Sequence, residues 1–291
     1  MIDFIINHSA GKAHGKHTKK IVRLLEKRLI ERKIPYVFHL PTTAEETKKI
    51  TTKIIKQGAK IVVSVGGDGT LHQIINGFTN FESVSLGIIP CGTGNDFATA
   101  INIPTSPLDA LDLILDGEPK FTDYMQMPSV RGINIIGMGI DVDVLNKYSQ
   151  LKKKNKWGYT KCLIQTLMNF DYSDFDAQLN GQRNHYRSFI ACVANGYQYG
   201  GGIKISPASD ATDNYLDFVA VGEIKKSKIL GKFLQLKKGK ILTFPETTHI
   251  KTKNIKIFTD THPVINVDGE LYKNIPFEVK IVSNKLKVFR P

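Results

Sequence analysis

Hydrophobic positions in the first part of the chain follow two patterns that alternate along the sequence. Short continuous apolar runs predict buried strands, and apolar residues three or four positions apart predict amphipathic helices. The strands are predicted at residues 2–7, 36–40, 60–65 and 85–89. The helices are predicted at residues 18–32, 44–57, 70–78 and about 108–115. This alternation predicts a parallel sheet covered by helices, with ligands at the carboxyl ends of the strands.

The pattern changes after about residue 124. Short apolar runs are now separated by turn-forming residues, which is typical of an antiparallel β domain. The runs lie at residues 133–138, 188–193, 216–221, 254–259, 264–267 and 277–282, with one helix predicted at 157–170. The predicted fold class is α/β plus β, with an N-terminal parallel αβα domain at 1–122 and a mostly antiparallel β-sandwich second domain at 123–278. A last strand is predicted at about 279–291, and it is a candidate to return to the first domain and join its sheet.

The formal net charge of the 291-residue chain is +13, and this charge is unevenly distributed. Residues 61–145 carry only two Lys or Arg against ten Asp or Glu, so the basic surplus lies on both sides of that segment. A basic surplus favours an anionic partner such as a phosphate, a nucleic acid or an acidic membrane surface. Lysines that simply keep the surface solvated are the alternative explanation.

Cysteine spacing and hydropathy indicate the cellular compartment of the protein and whether it spans a membrane. Cys91, Cys162 and Cys192 form no closely spaced pair, which argues against a disulfide framework or a zinc cluster and favours the cytoplasm. The N-terminal sequence has the pattern of a strand and a loop rather than a signal peptide. No apolar run reaches the roughly 18 residues of a membrane-spanning helix. We therefore expect a protein that is soluble or bound at a membrane surface.

The segment IVVSVGGDGT, residues 61–70, places three glycines around one carboxylate directly after a predicted strand. Gly66, Gly67 and Gly69 leave backbone N–H groups open to a phosphate at the start of a helix, which Thr70 is expected to cap. Tight strand-to-helix turns also use glycine, so the glycines alone decide little. Asp68 changes the picture, because a carboxylate repels phosphate unless a metal ion or a reacting proton is involved.

Two other predicted strands end in similar loops. SLGIIPCGTGNDFA, residues 85–98, and NHSAGK, residues 7–12, each follow a strand with small polar residues. Three such loops at the ends of strands in one parallel sheet would share an edge, as a nucleotide site requires. The sequence contains no Walker A motif and no Gly-x-Gly-x-x-Gly after a strand, which disfavours P-loop and ordinary NAD sites.

Two motifs together resemble the catalytic domain of diacylglycerol kinases. The motifs are Gly66-Gly67-Asp68-Gly69-Thr70 and Pro90-x-Gly92-Thr93-Gly94-Asn95-Asp96-Phe97. The first is common to a superfamily that includes bacterial soluble lipid kinases, sphingosine kinases and NAD kinases, and the second narrows the resemblance to lipid kinases. Further matches are Asn195-Gly196, residues 200–202, residues 207–218 and Val267-Asp268-Gly269-Glu270. The resemblance covers nearly the whole chain in the right order.

The resemblance implies that ATP lies across the loops of the first domain. The matching positions are Asn7, His8, Ser9, Ala10, Gly11, Lys12, Thr42 (with Thr43 as its alternative), Gly66, Gly67, Asp68, Gly69, Thr70, Leu71, His72 and Thr93. His8 replaces the proline usual in this family, so we expect a less rigid loop. Proline donates no hydrogen bond, so the phosphate contacts need not be lost.

The resemblance also implies a structural Mg²⁺ ion in the second domain. Its expected ligands are Asp210, Asp213 and Tyr215, partly through backbone carbonyls. Asn214 stands where the family usually has glycine, and asparagine tolerates the positive φ that such a turn needs. Asp-rich turns are common, so the spacing alone would not indicate a metal.

Glu270 matches the family's proton acceptor, with Asp268 as the residue that orients it. Asp68 is the rival, because sphingosine kinases are thought to use the equivalent carboxylate as the base. We otherwise expect Asp68 to belong to the Mg–ATP network. Mg²⁺ and Lys12 would neutralise charge on the γ-phosphoryl group while a carboxylate accepts the proton of the lipid hydroxyl.

The leading hypothesis is an ATP- and Mg²⁺-dependent lipid kinase that phosphorylates the primary hydroxyl of diacylglycerol to give phosphatidic acid. The alternatives are another lipid acceptor (a sphingoid base, ceramide or polyprenol), a soluble metabolite as in NAD kinases, or a non-enzymatic nucleotide-responsive regulator. No nucleic-acid-binding motif is present. The basic run before Trp157, with lysines at 152–154 and 156, suits peripheral contact with the anionic inner membrane surface, although a solvated loop is the alternative. The sequence leaves open whether a homodimer forms.

Overall fold

The computed structural model describes residues 1–7, 16–151, 156–167, 170–259 and 263–291. The chain divides into two compact units. Unit 1 comprises Met1–Asp123 and Ser283–Pro291, and unit 2 comprises Tyr124–Val282. The C-terminal end of the chain thus belongs to unit 1.

Unit 1 confirms the predicted parallel sheet with helices. Its elements are β1 (Ile2–Ile6), α1 (Lys16–Glu31), β2 (Tyr36–His39), α2 (Ala44–Lys56), β3 (Ile61–Gly66), α3 (Asp68–Gly77), β4 (Ser85–Pro90), α4 (Asp96–Ala100), α5 (Pro107–Asp116), the first part of β5 (Pro119–Gln126) and the last part of β16 (Glu278–Phe289). Strands β2, β1, β3, β4 and β16 lie side by side in that order, and each neighbouring pair is parallel. β1, β3 and β4 are almost entirely buried, which explains their continuous apolar sequences.

The helices α2 and α3 begin in different ways. At α2 the hydroxyl of Thr43 accepts the backbone N–H of Glu46 at 3.1 Å, which is an ordinary side-chain cap. At α3 the N-cap is Gly67, the helix begins at Asp68, and no side chain caps it. The predicted start of this helix at Thr70, and the capping role of that residue, are therefore wrong. The glycine turn leaves its first backbone N–H groups without a side-chain cap.

Unit 2 confirms the predicted, mostly antiparallel β domain. Its elements are β6 (Arg131–Gly132), β7 (Ile135–Gly139), α6 (Ile140–Ser149), α7 (Lys156–Leu167), β8 (Ser173–Leu179), β9 (Gln182–Ser188), β10 (Ile190–Ala194), β11 (Leu216–Val221), α8 (Ile229–Lys237), β12 (Thr247–Thr252), β13 (Asn254–Phe258), β14 (Ile265–Val267), β15 (Glu270–Tyr272) and the first part of β16. One antiparallel sheet has the order β12-β11-β10-β7-β14-β15. In the other, β16 pairs with β13, β13 with β8 and β8 with β9.

The six-stranded sheet of unit 2 has an apolar cluster on each face. Along β10, Cys192 and Ala194 belong to one cluster, and Ala191 and Val193 belong to the other. The first cluster includes residues of α7 and α8, and the second includes residues of β8 and β13. Burial on both faces explains why these strands are continuous apolar runs although the sheet is antiparallel.

The sequence patterns do not predict several elements of unit 2. They miss the hairpin of β8 and β9, although its Asn180-Gly181 turn has positive φ at both residues and carries a preferred hairpin sequence. They also miss α6, α8, β12 and β15. Helix α6 starts directly after β7, with Gly139 as its N-cap, so no polar loop marks the boundary. Within the described residues, no helix is both long and apolar enough to cross a membrane.

Candidate active site

Three loops follow neighbouring strands at one edge of the unit 1 sheet. They begin after β1 at Asn7, after β3 at Gly67 and after β4 at Cys91. The N–H of Asn7 donates to the carbonyl of Val65 at 3.2 Å, and the N–H of Cys91 donates to that of Gly66 at 2.8 Å. The loops therefore start side by side, at the edge where ligands bind in parallel α/β sheets.

Asp68 ties the glycine turn to the loop after β4. Its Oδ2 accepts the backbone N–H of Asn95 at 2.8 Å, and its Oδ1 accepts that of Asp96 at 3.0 Å. Asn95 has a left-handed backbone, with φ of 54°, and its side chain makes two hydrogen bonds to the backbone of Gly92. One carboxylate thus sets the spacing of both loops.

The two glycine loops touch where neither has a side chain. A Cβ on Gly67 would lie 3.0 Å from the Cα of Gly92, and a Cβ on Gly92 would collide with Gly67. A Cβ on Gly94 would lie 2.7 Å from Oδ2 of Asp68 and 3.2 Å from Oδ2 of Asp96. The loops therefore present bare backbone beside two carboxylates. This donor set fits a Mg²⁺ ion that arrives on a polyphosphate, because Mg²⁺ in such sites takes one or two carboxylates together with phosphate oxygens.

The first loop is described only at its start. The side-chain amide of Asn7 donates to the hydroxyl of Thr70 at 3.1 Å, so this loop is attached to α3. Thr70 is buried, and a Cβ on Gly66 would collide with it. The remaining predicted ATP contacts in this loop lie outside the described residues: His8, Ser9, Ala10, Gly11 and Lys12. Their contribution stays a prediction.

The other predicted ATP contacts have different surroundings. Leu71 and His72 are buried in α3, so their side chains support the turn from inside. The hydroxyl of Thr42 donates to the carboxylate of Glu46 at 2.8 Å. Thr93 is half-buried in the loop after β4. The contacts of these four residues with a nucleotide stay predictions.

The predicted catalytic motif of unit 2 is the tip of a hairpin. Asp268 and Gly269 join β14 to β15, and Val267 pairs with Glu270 across the turn. Both turn residues have positive φ, 54° and 96°. This is the pattern of a type I′ turn, for which Asp-Gly is a preferred sequence. The turn alone therefore accounts for Gly269, and it presents Glu270 as an exposed side chain directly after the tip.

The carboxylate of Asp268 accepts three backbone N–H groups. They belong to residues 133–135, at 2.8, 2.8 and 3.1 Å. This carboxylate anchors the turn to the chain at the start of β7. Nearby, burial and the charges of Glu270 and Asp268 raise the pKa of Tyr272 to about 12, so its phenol stays protonated. The assignment of Glu270 as base and Asp268 as its orienter stays a prediction.

Two buried asparagines hold the segment to which Asp268 binds. The side chain of Asn195 donates to the carbonyl of Ile133 at 2.7 Å, and the N–H groups of Asn195 and Gly196 donate to the carbonyl of Asn134. The side chain of Asn134 donates to the carbonyl of Gln198 at 3.0 Å. Sequence reasoning assigns no role to either asparagine. An available signal was an amide side chain inside an apolar run, where burial is costly unless the amide is hydrogen-bonded.

The predicted Mg²⁺ ligands of unit 2 lie in one turn. Oδ1 of Asp210 accepts the N–H and the hydroxyl of Thr212, at 3.0 and 2.7 Å. Oδ1 of Asp213 accepts the N–H of Tyr215 at 2.9 Å, and its other oxygen is ion-paired with Lys251. The described residues contain no group of three His, Cys, Asp or Glu side chains that could hold a metal. Lys251 supplies a positive charge beside Asp213 in this arrangement, and the predicted Mg²⁺ ligation, partly through backbone carbonyls, stays a prediction.

Comparison with known families covers both parts of the chain. Residues 2–127 match the diacylglycerol kinase catalytic domain, and residues 134–290 match the YegS C-terminal NAD kinase beta sandwich-like domain. The chain belongs to the diacylglycerol kinase family. This confirms the family predicted from the sequence and makes the chain a lipid kinase.

Relatives of this lipid kinase match it over most of their length. The diacylglycerol kinase of Staphylococcus saprophyticus is 27% identical over 298 residues, which cover 99% of this chain and 94% of the relative. The diacylglycerol kinase of Mycobacterium tuberculosis is 26% identical over 274 residues, which cover 91% of this chain and 87% of the relative. A crystal structure of a diacylglycerol kinase from Bacillus anthracis covers 100% of this chain and 96% of its own, with a TM-score of 0.74 and 20% identity. That structural likeness supports the fold.

Unit 2 of the lipid kinase contains an apolar cavity. Its volume is about 50 Å³, so it is a narrow cavity whose lining, rather than its size, is its main feature. The lining residues come from α6, α7, α8, β10, β11 and the segments that connect these elements: Ile140, Leu163, Leu167, Phe189, Ile190, Tyr199, Ile203, Ile205, Val221, Ile224, Ile229, Lys232, Phe233, Leu236, Ile241 and Phe244. Among these residues only Lys232 carries a charge, and it is ion-paired with Glu246. The cavity therefore suits hydrocarbon.

Proposed function

We propose that this lipid kinase transfers the γ-phosphoryl group of MgATP to the primary hydroxyl of diacylglycerol, giving phosphatidic acid. The observation that carries a lipid acceptor is the apolar lining of the cavity in unit 2, whose residues favour hydrocarbon over a polar ligand. Each CH₂ group that leaves water for such a site gains about 0.8 kcal/mol, a gain that a soluble dinucleotide cannot match there. The curated relatives named diacylglycerol kinase support the same acceptor.

Unit 1 provides the phosphate site in this proposal. The loops at Gly67 and Gly92 approach one another so closely that only bare backbone fits, and bare backbone can donate hydrogen bonds to phosphate oxygens. Asp68 and Asp96 would hold Mg²⁺, whose charge offsets that of the triphosphate when it is bound. Asp68 also keeps the two loops together through its bonds to the start of α4.

Glu270 is the general base in this proposal. Its side chain is exposed beside the hairpin tip that Asp268 anchors, so a lipid hydroxyl can approach it. A hydroxyl is a poor nucleophile until a carboxylate accepts its proton. The rival, Asp68, is less suited because both of its oxygens accept backbone N–H groups.

The proposal includes peripheral contact of unit 2 with the anionic inner membrane surface. Trp157 at the start of α7 is 78% exposed, and Leu234 on α8 is 56% exposed. Exposed tryptophan prefers the membrane interface, and each nearby lysine adds about 1 kcal/mol of attraction to anionic lipid. The lysines predicted to contribute at 152–154 lie outside the described residues. Both exposed side chains belong to the helices that line the cavity.

Transfer of labelled γ-phosphate in mixed micelles tests the proposal. Diacylglycerol, ceramide and NAD are offered separately with MgATP, and the Glu270→Gln variant serves as the inactive control. We expect label in phosphatidic acid only, and none with the variant although its melting temperature is unchanged. Label in ceramide or NAD instead would overturn the assigned acceptor. Transfer to none of the three would also overturn the assigned acceptor, and would leave another lipid such as a polyprenol, or a non-enzymatic regulator, as the alternative.

A further inference from the structure

Asp141 is a carboxylate in the interior of unit 2. It lies in the first turn of α6 and is only 2% exposed. Asp is almost never fully buried unless it is paired or hydrogen-bonded, because losing water costs the charged form several kcal/mol. A buried carboxylate therefore requires an explanation, and the anchors of the Asp268 turn described above do not include it.

The side-chain hydrogen-bond partner of Asp141 is Asn266 on β14. The side-chain nitrogen of Asn266 donates to Oδ2 of Asp141 at 2.9 Å. The side-chain oxygen of the same Asn266 accepts the backbone N–H of Gly269 at 2.8 Å. An amide has one donor end and one acceptor end, so an acceptor at Asp141 fixes which end faces Gly269. The buried carboxylate is thereby linked to the turn that precedes Glu270.

The strands make room for this link. Asn266 pairs with Gly137 across β14 and β7. A Cβ on Gly137 would collide with Oδ2 of Asp141, so any other residue would displace the carboxylate from Asn266. Three positions on three different elements are therefore matched to one another.

The turn needs such support. β14 and β15 have three residues each, and hairpins this short are marginally stable on their own. Asp268 and Gly269 also both have positive φ, which costs free energy at the aspartate. Asp268 secures one side of the turn through residues 133–135, and Asn266 secures the other through Gly269.

We propose that Asp141 and Asn266 are positioning residues that hold the Asp268-Gly269 turn and so set the place of the Glu270 carboxylate. This inference rests on the proposed role of Glu270 as general base. The two residues act through the turn and do not touch the reacting atoms. We call this pair of hydrogen bonds the relay: the buried carboxylate of Asp141 accepts from the amide nitrogen of Asn266, and the amide oxygen of Asn266 accepts from the backbone N–H of Gly269.

Reversing the polarity of the relay tests the proposal. Asn266→Asp places two carboxylates against each other, and Asp141→Leu removes the acceptor. For each we expect kcat to fall roughly tenfold to a hundredfold with the KM for MgATP unchanged, since small misplacements of catalytic groups cost this much. Asp141→Asn keeps an acceptor oxygen and should stay near wild type. The double variant Asp141→Asn, Asn266→Asp restores one donor and one acceptor and should regain most of the activity.

A second readout does not depend on the reaction. The Gly269 amide, observed by NMR after ¹⁵N-glycine labelling, should exchange slowly in wild type and in the double variant and fast in Asp141→Leu and Asn266→Asp. Asp143→Leu is the matched control, because this exposed residue lies in the same helical turn.

Folded Asp141→Leu with wild-type kcat and slow Gly269 exchange would overturn the proposal, as would a folded double variant with no recovery over Asn266→Asp. If every form, wild type included, proved inactive on lipids, the exchange data would still decide the relay while the proposed function failed.

Discussion

Oδ2 of Asp68 lies 2.8 Å from the backbone nitrogen of Asn95, and this hydrogen bond joins two loops that are 27 residues apart in sequence. A carboxylate beside a phosphate site is repulsive by itself, so its structural use explains part of its presence. Asp68 holds the start of α4 against the glycine turn with both oxygens. The proposed Mg²⁺-binding role and this structural role therefore fall on the same side chain.

Replacing Asp68 should strongly reduce turnover while the fold persists. Asp68→Ala removes both bonds to α4, and we expect kcat/KM to fall about a hundredfold or more, with a stability loss of about 1–3 kcal/mol for the N–H groups left unpaired. Asp68→Asn keeps only one acceptor oxygen, so its kcat/KM and its stability should lie between those of wild type and Asp68→Ala. Kinetics and thermal melting measure both effects, with Glu82→Ala as an exposed control in unit 1. Substantial activity with normal melting in Asp68→Ala would remove the glycine turn from the mechanism.

Gly67 and Gly92 are in contact, so adding a single methyl group at either position should push the two loops apart. Gly92→Ala would collide with the backbone of Gly67, and overpacking of this kind costs about 1–3 kcal/mol. We expect the KM for MgATP to rise while the KM for the lipid stays the same. Gly231→Ala is the matched control, because nothing lies within 4 Å of its new Cβ. Equal MgATP kinetics in the two variants would contradict a phosphate cradle at this contact.

Removal of Mg²⁺ should stop the reaction without lowering the melting temperature of the free protein. The ammonium of Lys251 is paired with Asp213, and its pKa is raised by the hydrogen bond to Asp213 and by the charges of Asp217 and Asp210. Lys251→Met should cost up to about 1 kcal/mol, as expected for a partly exposed pair. Melting curves of wild type with EDTA, and then with Mg²⁺, check the effect of the metal, and the melting curve of Lys251→Met checks the value of the ion pair. A clear Mg²⁺-dependent rise in wild-type melting temperature would instead support the predicted structural metal at Asp210, Asp213 and Tyr215.

The sequence predicts the architecture of unit 1 well because its strands are buried on both faces and its helices are amphipathic. Such patterns have a period that can be read locally. It predicts unit 2 less well, since the hairpin β8–β9 is largely polar and only Phe175, Ala177 and Leu179 alternate inward. The Asn180-Gly181 turn was a usable signal for this hairpin.

The candidate site also has parts that the sequence predicts and parts that it does not. Glycine motifs are local, so the turn at Gly67 and the loop at Gly92 are visible in the sequence. The relay from Asp141 through Asn266 joins residues 125 positions apart, and the anchors of Asp268 are 133 or more positions away. No periodicity reports such pairs. Thr70 shows that a local signal can also mislead. Its residue type suggests a helix cap, whereas its hydroxyl accepts a hydrogen bond from the side chain of Asn7.

The stability of the protein should change with pH through Asp141. Burial raises the pKa of this carboxyl to about 7, against the lowering effect of the bond to Asn266, and the charge of Asp143 raises it further. The folded form binds the proton more tightly than the unfolded form, so this contribution is full below about pH 4 and is lost as the pH rises through 7. Between pH 5 and 8 wild type should lose about 2–3 kcal/mol relative to Asp141→Asn. Urea unfolding of both proteins measures this, and parallel pH profiles would exclude Asp141 as the source.

Filling the apolar cavity should change which acyl chains the lipid kinase accepts. Leu163 lines the cavity from α7 and is 5% exposed, whereas the next residue, Ile164, is 39% exposed on the same helix. Leu163→Trp should raise the KM for long-chain diacylglycerol and favour a short-chain substrate, because the larger side chain takes space that hydrocarbon would occupy. Ile164→Trp should leave that ratio unchanged, and the KM for MgATP should be the same in both. Kinetics on diacylglycerols of two chain lengths decide the matter, with melting curves to show that both variants fold. An unchanged ratio in folded Leu163→Trp would mean that acyl chains bind elsewhere.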